Sequence, residues 1–232
     1  MVVVTTADWF IAIGTLVLAV GTLALAVVAV FQDAIRARLR HPTLRASIVT
    51  SPPDCVAVPI RRGNLEANSV YLRLLVENVG NTAAKNAEVY AKGLKRRCAD
   101  GTWESVRAFP PMNLKWAHLG TIYFAAIGPS MSKHCDMAHV IDPSLRYFFG
   151  EDNEDLGLTE AQASMTFDLM VAPNHKGHIV GPGDYRLEIV LAAENAAPKI
   201  ATIAVSFSGT WYEDEIGMLR DGIGASVLAQ EK

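Results

Sequence analysis

The sequence predicts one transmembrane α-helix followed by a mainly β domain built as an antiparallel sandwich. Residues 9–31 carry no charge, which is typical of a helix that crosses a bilayer. Beyond residue 42, apolar residues alternate with a period of two in roughly eight or nine short stretches, which Pro, Gly and Asn separate. The 232 residues suffice for one membrane segment and one domain.

The helix comes first, after a short tail of residues 1–8. At about 1.5 Å per residue, residues 9–31 would span ~34 Å, which exceeds the ~30 Å hydrocarbon core of a bilayer. A cleaved signal peptide is not favoured, because the tail has no Lys or Arg and the apolar run is too long. We expect residues 32–42 to continue the helix as a basic juxtamembrane stalk that ends at Pro42.

Positive charge predicts the orientation of the helix, because flanks that carry Lys or Arg stay in the cytoplasm. No such residue precedes the helix, so we expect a bacterial inner (plasma) membrane protein with its N-terminus outside and residues 32–232 in the cytoplasm. The odd number and irregular spacing of Cys55, Cys98 and Cys135 agree with a reducing compartment. The arginines on the cytoplasmic, lipid-facing flank are Arg36, Arg38, Arg40 and Arg45.

The helix also nearly repeats itself every seven residues, which is almost two helical turns. Small residues let membrane helices approach closely, and threonine hydroxyls can form hydrogen bonds across such a contact. We therefore expect one small-residue seam, a homo-oligomer and a left-handed crossing of about 20°. The seam consists of Ala12, Gly14, Thr15, Ala19, Gly21, Thr22 and Ala26.

The β domain is predicted over residues 43–212. Residues 70–78 alternate strongly, and after a turn at Gly80 residues 84–92 alternate again. These two strands form either a connected antiparallel pair or a strand that crosses from one sheet to the other. Shorter strands are predicted at residues 46–49, 55–60, 122–126, 135–140 and 164–171.

The second half of the chain contains another strand pair, residues 182–191 and 200–207. We expect the stretch around residues 143–163, which includes an acidic turn, to be a surface excursion between strands. Residues 213–232 are rich in Gly and acidic residues, and we expect them to form a frayed, partly helical tail.

Two short segments carry a resemblance to a known family. The segment V-E-N-V-G-N-T-A-A-K-N-A-E-V (76–89) resembles the signature of bacterial immunoglobulin-like domains of the CARDB type. The segment P-G-D-Y-R-L-E-I (182–189) looks like the penultimate strand of many Ig-like sandwiches. The resemblance implies an Ig-like antiparallel β-sandwich in which Tyr185 makes a corner hydrogen bond. It implies little about function, because such sandwiches have many functions.

Motifs that would identify an enzyme are missing from the sequence. It has no G-x-x-x-x-G-K-[ST], H-E-x-x-H or G-x-S-x-G. We therefore expect no enzyme, no catalytic residue and no cofactor. A metal site is a weak alternative, because residues four apart on a strand lie about 13 Å from each other. The weak metal candidates are His134, His139, His175 and His178.

Charge is divided unevenly along the chain: residues 33–133 have a net charge of +8 and residues 134–232 a net charge of −10. The favoured interpretation is that the two halves face one another, within a protomer or between protomers. Alternatively, basic residues form a patch for lipid head groups or an anionic ligand. Nucleic acid is not expected, because aromatic residues do not alternate with the basic ones. The candidate ligand patch consists of Arg61, Arg62, Lys95, Arg96 and Arg97.

Together these features predict a membrane-anchored, non-enzymatic binding or interaction module that self-associates through its helix. Its expected partners are the lipid bilayer, further copies of itself, and an unknown protein or anionic ligand. The alternative is a membrane effector of the kind found in some bacterial antiviral systems. In that alternative the β domain senses a ligand and the helices rearrange to perturb the bilayer.

Overall fold

The computed structural model describes residues 5–230, apart from the side chains of residues 33–39. Residues 1–4 of the predicted tail 1–8, and residues 231–232 of the predicted tail 213–232, lie outside the described part. The chain divides after His41 into two compact units, a helical one and a β domain.

The helical unit contains one continuous helix, α1 (Thr6–Leu39), which ends three residues before Pro42. Asp8 lies in its first turn, and its carboxylate accepts hydrogen bonds from the backbone N–H and the hydroxyl of Thr5. The stretch Thr6–Gln32 has a mean hydropathy of 2.6, and its side chains are exposed. It is therefore long and apolar enough to cross a membrane.

Within the described residues the β domain has 14 strands in two sheets and four short helical segments: two α-helices, α2 (Arg146–Phe149) and α3 (Glu215–Gly217), a 3₁₀ turn (Glu154–Leu156) and a π-helical turn (Met218–Gly222). The strands are β1 (Leu44–Ser47), β2 (Cys55–Arg62), β3 (Leu65–Asn78), β4 (Ala84–Arg97), β5 (Trp103–Ser105), β6 (Met112–Asn113), β7 (Lys115–Trp116), β8 (Tyr123–Ile127), β9 (Ser132–Ile141), β10 (Met165–Phe167), β11 (Ile179–Val180), β12 (Gly183–Ala193), β13 (Ala196–Phe207) and β14 (Ile223–Gln230).

All strand pairings between these elements are antiparallel. The first sheet has the order β1-β3-β9-β10-β11, with β2 also paired to β3 and β7 to β9. The second sheet has the order β14-β13-β12-β4-β5, with β6 and β8 also paired to β4. The inward residues of both sheets form one apolar core.

Alternation explains why these segments become strands. Along β3, Leu72, Leu74 and Val76 are completely buried, and the residues between them are partly exposed. Trp116 of β7 fills the core, and its indole N–H donates a hydrogen bond to the carbonyl of Ala87. Each sheet therefore presents one apolar face to the core and one polar face outward.

The structure decides how the two predicted strands around Gly80 are related. The first, β3, belongs to the first sheet and the second, β4, to the second sheet, so the chain crosses between sheets at this turn. The later predicted pair is confirmed as a hairpin, because β12 and β13 pair over almost their whole length. The prediction of a mainly β domain with two antiparallel sheets is thus confirmed.

The C-terminal tail was predicted wrongly. Residues 215–222 form short helical turns, but β14 then pairs with β13 and widens the second sheet. Ile223 is buried, and Ala225 and Val227 pack against the core. Apolar residues at every second position favour a strand that packs on the core. The glycines nearby had suggested a frayed end instead.

The crossing between the sheets is held by the side chain of Asn78, which is completely buried. Its oxygen accepts hydrogen bonds from the N–H groups of Thr43 (3.2 Å) and Gly80 (3.0 Å). Its NH₂ group donates to the carbonyls of Thr82 (2.7 Å) and Ile127 (2.8 Å). An asparagine amide can make four hydrogen bonds of this kind, so Asn78 is fully satisfied.

The predicted corner hydrogen bond is also confirmed. The Tyr185 hydroxyl is buried and donates to the carbonyl of Gly181, four residues upstream, at 2.7 Å. This bond connects the start of β12 to the turn that precedes it.

We predict that Asn78→Leu lowers the free energy of unfolding by about 4 kcal/mol, because it removes four hydrogen bonds to buried or partly buried backbone groups at about 1 kcal/mol each. Tyr185→Phe removes a single bond and should cost only about 1 kcal/mol. Chemical denaturation of the full chain in detergent measures both values. Equal losses for the two variants would contradict the role given to Asn78.

Candidate functional site

A cleft of about 430 Å³ opens on the outer face of the second sheet. The strands β4, β12 and β13 form its floor, and β5 folds back along β4 to form one wall. Its lining includes Lys95, Trp103, Ser105, Phe109, Arg186 and Thr202. Its size lies within the range of about 300–1,000 Å³ that is typical of sites for small molecules.

Trp103 and Arg186 are in direct contact in this cleft. The guanidinium carbon of Arg186 lies 4.0 Å from the centre of the Trp103 ring, which is a cation–π arrangement. The two residues are far apart in the chain and meet because β5 and β12 both flank β4. Arg186 is exposed and makes no ion pair with any described residue.

The charges along the β4–β12 ladder are unevenly compensated. Lys92 pairs with Glu188 at 2.5 Å, and Arg97 pairs with Asp184 at 3.6 Å. Between these two ion pairs Arg186 lies directly opposite Lys95. Neither of these two cations has a carboxylate partner in the part of the chain that the structure describes. Like charges directly opposite in a sheet are destabilising, so this pair has a cost in stability.

The remaining ion pairs show how the basic and acidic halves of the chain are arranged. Two strand ladders bring arginines or lysines of the first half of the chain to carboxylates of the second half: β3 with β9, and β4 with β12. Arg73 of β3 thus pairs with Asp136 of β9 at 2.9 Å. The two halves therefore face one another within the protomer, as the favoured interpretation expected.

The candidate ligand patch is divided between the two sheets. Arg61 pairs with Glu66, and Arg62 donates to the carbonyl of Phe148, both at one end of the first sheet. Arg96 points to the opposite face of β4 from Lys95, where it donates to the carbonyl of Pro182. Of the five predicted residues, Lys95 lines the cleft.

A polar layer covers the outer face of the first sheet, centred on His139. The Nδ1 atom of His139 lies 3.0 Å from Asp168, and Nε2 lies 2.7 Å from Glu151. Tyr71 stacks on the imidazole ring with ring centres 4.9 Å apart. Carboxylates only accept hydrogen bonds, so both ring nitrogens donate and the imidazole carries a positive charge.

The pKa of His139 follows from this geometry. Burial alone would lower it, but the charges of Asp168 and Glu151 and the hydrogen bonds to them hold the pKa well above its usual value. The stabilisation from this contact is therefore fully present below the unfolded-state pKa of about 6.5 and is lost as pH rises through the folded-state value.

The excursion around residues 143–163 was expected at the surface, but part of it is buried against this polar layer. Glu151 accepts from the Thr166 hydroxyl at 3.1 Å, in addition to its contact with His139. Arg146 is only 8% exposed, pairs with Asp152 at 2.8 Å and donates to the carbonyl of Gln162. Buried charges are stable only when paired, so these contacts fix the excursion on the sheet.

The four candidate metal ligands do not converge on one point. His134 contacts Asp54 at 3.0 Å, and His175 accepts from the N–H of Gly177. His139 is occupied by its two carboxylates, and His178 is buried beside it with no hydrogen-bond partner at Nδ1. Within residues 5–230, no group of three or more His, Cys, Asp or Glu is arranged to hold a metal ion.

The predicted helix seam is split by helical geometry. At 3.6 residues per turn, residues two apart point about 200° apart, so Gly14 and Gly21 lie almost opposite Ala12 and Ala19. The expectation of a single seam was therefore wrong, and the helix has two small-residue faces. A Cβ atom added at either glycine would meet nothing within 4 Å.

The threonines of the seam use their hydroxyl protons within the helix. Thr15 donates to the carbonyl of Ile11, and Thr22 donates to that of Leu18, each at 2.8 Å. In this arrangement the two hydroxyls cannot donate hydrogen bonds to a neighbouring helix and can only accept them. The expected hydrogen bonds across the helix contact are therefore limited to that direction.

Of the arginines predicted to flank the membrane, Arg36 and Arg38 belong to the last turns of α1, and their side chains are outside the described part of the structure. Arg40 is exposed. Arg45 belongs to β1 and pairs with Glu77 at 2.6 Å.

Comparison of the chain with protein-family models, curated proteins and solved structures gives no match. We therefore infer what the protein does from the helix, the cleft and the polar layer.

We predict that His178 makes the protein sensitive to acid. Burial lowers the pKa of His178 from 6.5 to about 4, although Glu151 and Asp168 oppose this effect. The unfolded chain therefore binds a proton first, and stability falls by about 3 kcal/mol as pH decreases from 6.5 to 4. In urea titrations over this range, His178→Gln should lose about 3 kcal/mol less than the natural chain. Parallel losses would contradict the prediction.

Proposed function

We propose that the protein is a single-pass membrane protein whose β domain is a non-enzymatic binding module. The observation that carries this proposal is the apolar stretch Thr6–Gln32, none of which is buried. In water so large an exposed apolar surface would cause aggregation, whereas in a bilayer the same surface is solvated by lipid. Membrane insertion leaves the β domain outside the hydrocarbon region, where its polar faces meet water.

We further propose that the β domain is an Ig-like sandwich. Three features support this assignment: the crossing between sheets at Asn78, the β12–β13 hairpin and the buried hydrogen bond of Tyr185. A tyrosine hydroxyl that bonds the backbone a few residues upstream is a hallmark of such sandwiches.

Binding is favoured over catalysis by the chemistry of the two polar regions. The cleft presents cations, hydroxyls and aromatic rings, which can hold and orient a ligand. The buried His139 already donates both of its protons to carboxylates, so it has no free nitrogen with which to accept a proton from a substrate. The cleft is therefore the best candidate for the binding site.

The proposed orientation places the N-terminus outside and the β domain in the cytoplasm of the bacterial inner membrane, on the basis of the arginines that follow the helix. We also propose that the chain is a homo-oligomer. Both small-residue faces of α1 allow close approach of a second helix.

We predict that moving the positive charge reverses the orientation. A C-terminal fusion to a reporter that is active only in the cytoplasm should be active in the natural chain. Val2→Lys and Val3→Lys, combined with Arg36→Gln, Arg38→Gln and Arg40→Gln, should make it inactive. Arg61→Gln with Arg62→Gln, farther from the helix, serves as the control and should change nothing. Reporter activity in the periplasm for the natural chain would refute the orientation.

We predict that both faces of the helix contribute to self-association. In a membrane two-hybrid assay, Gly14→Ile with Gly21→Ile should weaken association at least about threefold, because the larger side chains prevent close approach. Ala12→Ile with Ala19→Ile should have a similar effect. Val20→Ile with Val27→Ile changes a third face and is the matched control. Association that survives both the glycine pair and the alanine pair of changes would exclude the helix as the interface.

A further inference from the structure

We propose that the cleft on the second sheet binds a small organic phosphate, whose phosphate group lies between Lys95 and Arg186. This inference rests on the proposed function of the β domain as a binding module. It adds the location of the site, the chemical class of the ligand and the residues that recognise it.

The charge of the site selects a phosphate. Arg186 and Lys95 are directly opposite on neighbouring strands, and each lacks a carboxylate partner in the described chain. The ion pairs on either side, Lys92–Glu188 and Arg97–Asp184, are internally neutralised. Two adjacent positive charges are thus left over, and a phosphate monoester near pH 7 carries a charge of about −1.5 to −2. The ligand removes the repulsion between the two cations.

Trp103 prepares Arg186 for this contact. The guanidinium carbon lies 4.0 Å from the centre of the indole ring, so the group is held against that surface. Its N–H donors lie around the edge of the guanidinium plane, where they can form two parallel bonds to oxygens of one phosphate. Holding the arginine before the ligand arrives reduces the entropy that binding has to overcome.

The remaining space indicates an organic group on the phosphate. A cleft of about 430 Å³ is far larger than an inorganic phosphate needs. Phe109 is 5% exposed and, with Val106 and Trp103, gives the cleft an apolar side. The hydroxyls of Ser105 and Thr202 complete the lining, so they can bind polar atoms of the ligand.

The test is ¹⁹F NMR of the full chain labelled with 5-fluorotryptophan, in nanodiscs of zwitterionic lipid. The chain has four tryptophans, and Trp103→Phe identifies the resonance of Trp103. The probes are adenosine monophosphate, inorganic phosphate and adenosine. We expect a saturable shift of the Trp103 resonance with adenosine monophosphate, a weaker one with inorganic phosphate, and none with adenosine. A second arm replaces part of the lipid with phosphatidic acid. A shift in that arm alone identifies a lipid head group as the source of the phosphate.

Variants locate the phosphate. Lys95→Gln and Arg186→Gln should each weaken binding about tenfold, since each removes a charged hydrogen bond to the phosphate. Lys85→Gln removes a cation from the same strand outside the cleft and should leave binding unchanged. The resonances of Trp116 and Trp211 report whether each variant is folded. Equal binding by all three variants, or no shift of Trp103 with any phosphate probe up to ~10 mM, would overturn the proposal. Neither result affects the membrane anchoring, which the reporter fusion tests separately.

Discussion

The β domain depends above all on the buried amide of Asn78. At this residue the chain leaves the first sheet for the second, and a crossing exposes backbone groups that no strand ladder can satisfy. The amide bonds the residue before β1, the turn itself and the end of β8, so that one side chain joins segments of both sheets. Without these bonds the buried carbonyl of Ile127 and the partly buried backbone groups of the turn would lose a side-chain partner.

The charge pattern follows from the same crossing. Because β3 and β4 belong to different sheets, each pairs with a strand whose carboxylates come from the second half of the chain, β9 and β12. Three ion pairs form in this way: Arg73–Asp136, Lys92–Glu188 and Arg97–Asp184. Lys95 and Arg186, by contrast, face one another without a carboxylate partner in the described chain, and their repulsion lowers the stability of the fold locally. Such a cost is expected where a ligand, and not the fold, supplies the compensating charge.

The strands could be predicted from the sequence because burial on one face of a sheet leaves a period-two pattern, as in β3 and β12. The cleft could not, because its residues come from strands separated by most of the domain. The alternation of apolar residues along β12 predicts that Arg186 points outward. The register of the strands shows that it faces Lys95, and the fold of β5 shows that it stacks on Trp103. The same holds for His139, whose two carboxylate partners come from a loop and from the segment that follows β10. Contacts between distant segments leave no local pattern.

The small residues of the helix repeat every seven positions, but they do not form the single surface that the repeat suggested. The seven-residue repeat is real, but within each repeat Gly14 follows Ala12 by two positions and therefore points to nearly the opposite side. A single face would suit an isologous dimer, in which both copies use the same surface. Two opposite faces suit heterologous contacts, in which each helix touches a different neighbour on either side. The repeat in the sequence therefore identifies small residues on two sides of the helix, and the helical rotation per residue shows that they do not form one surface.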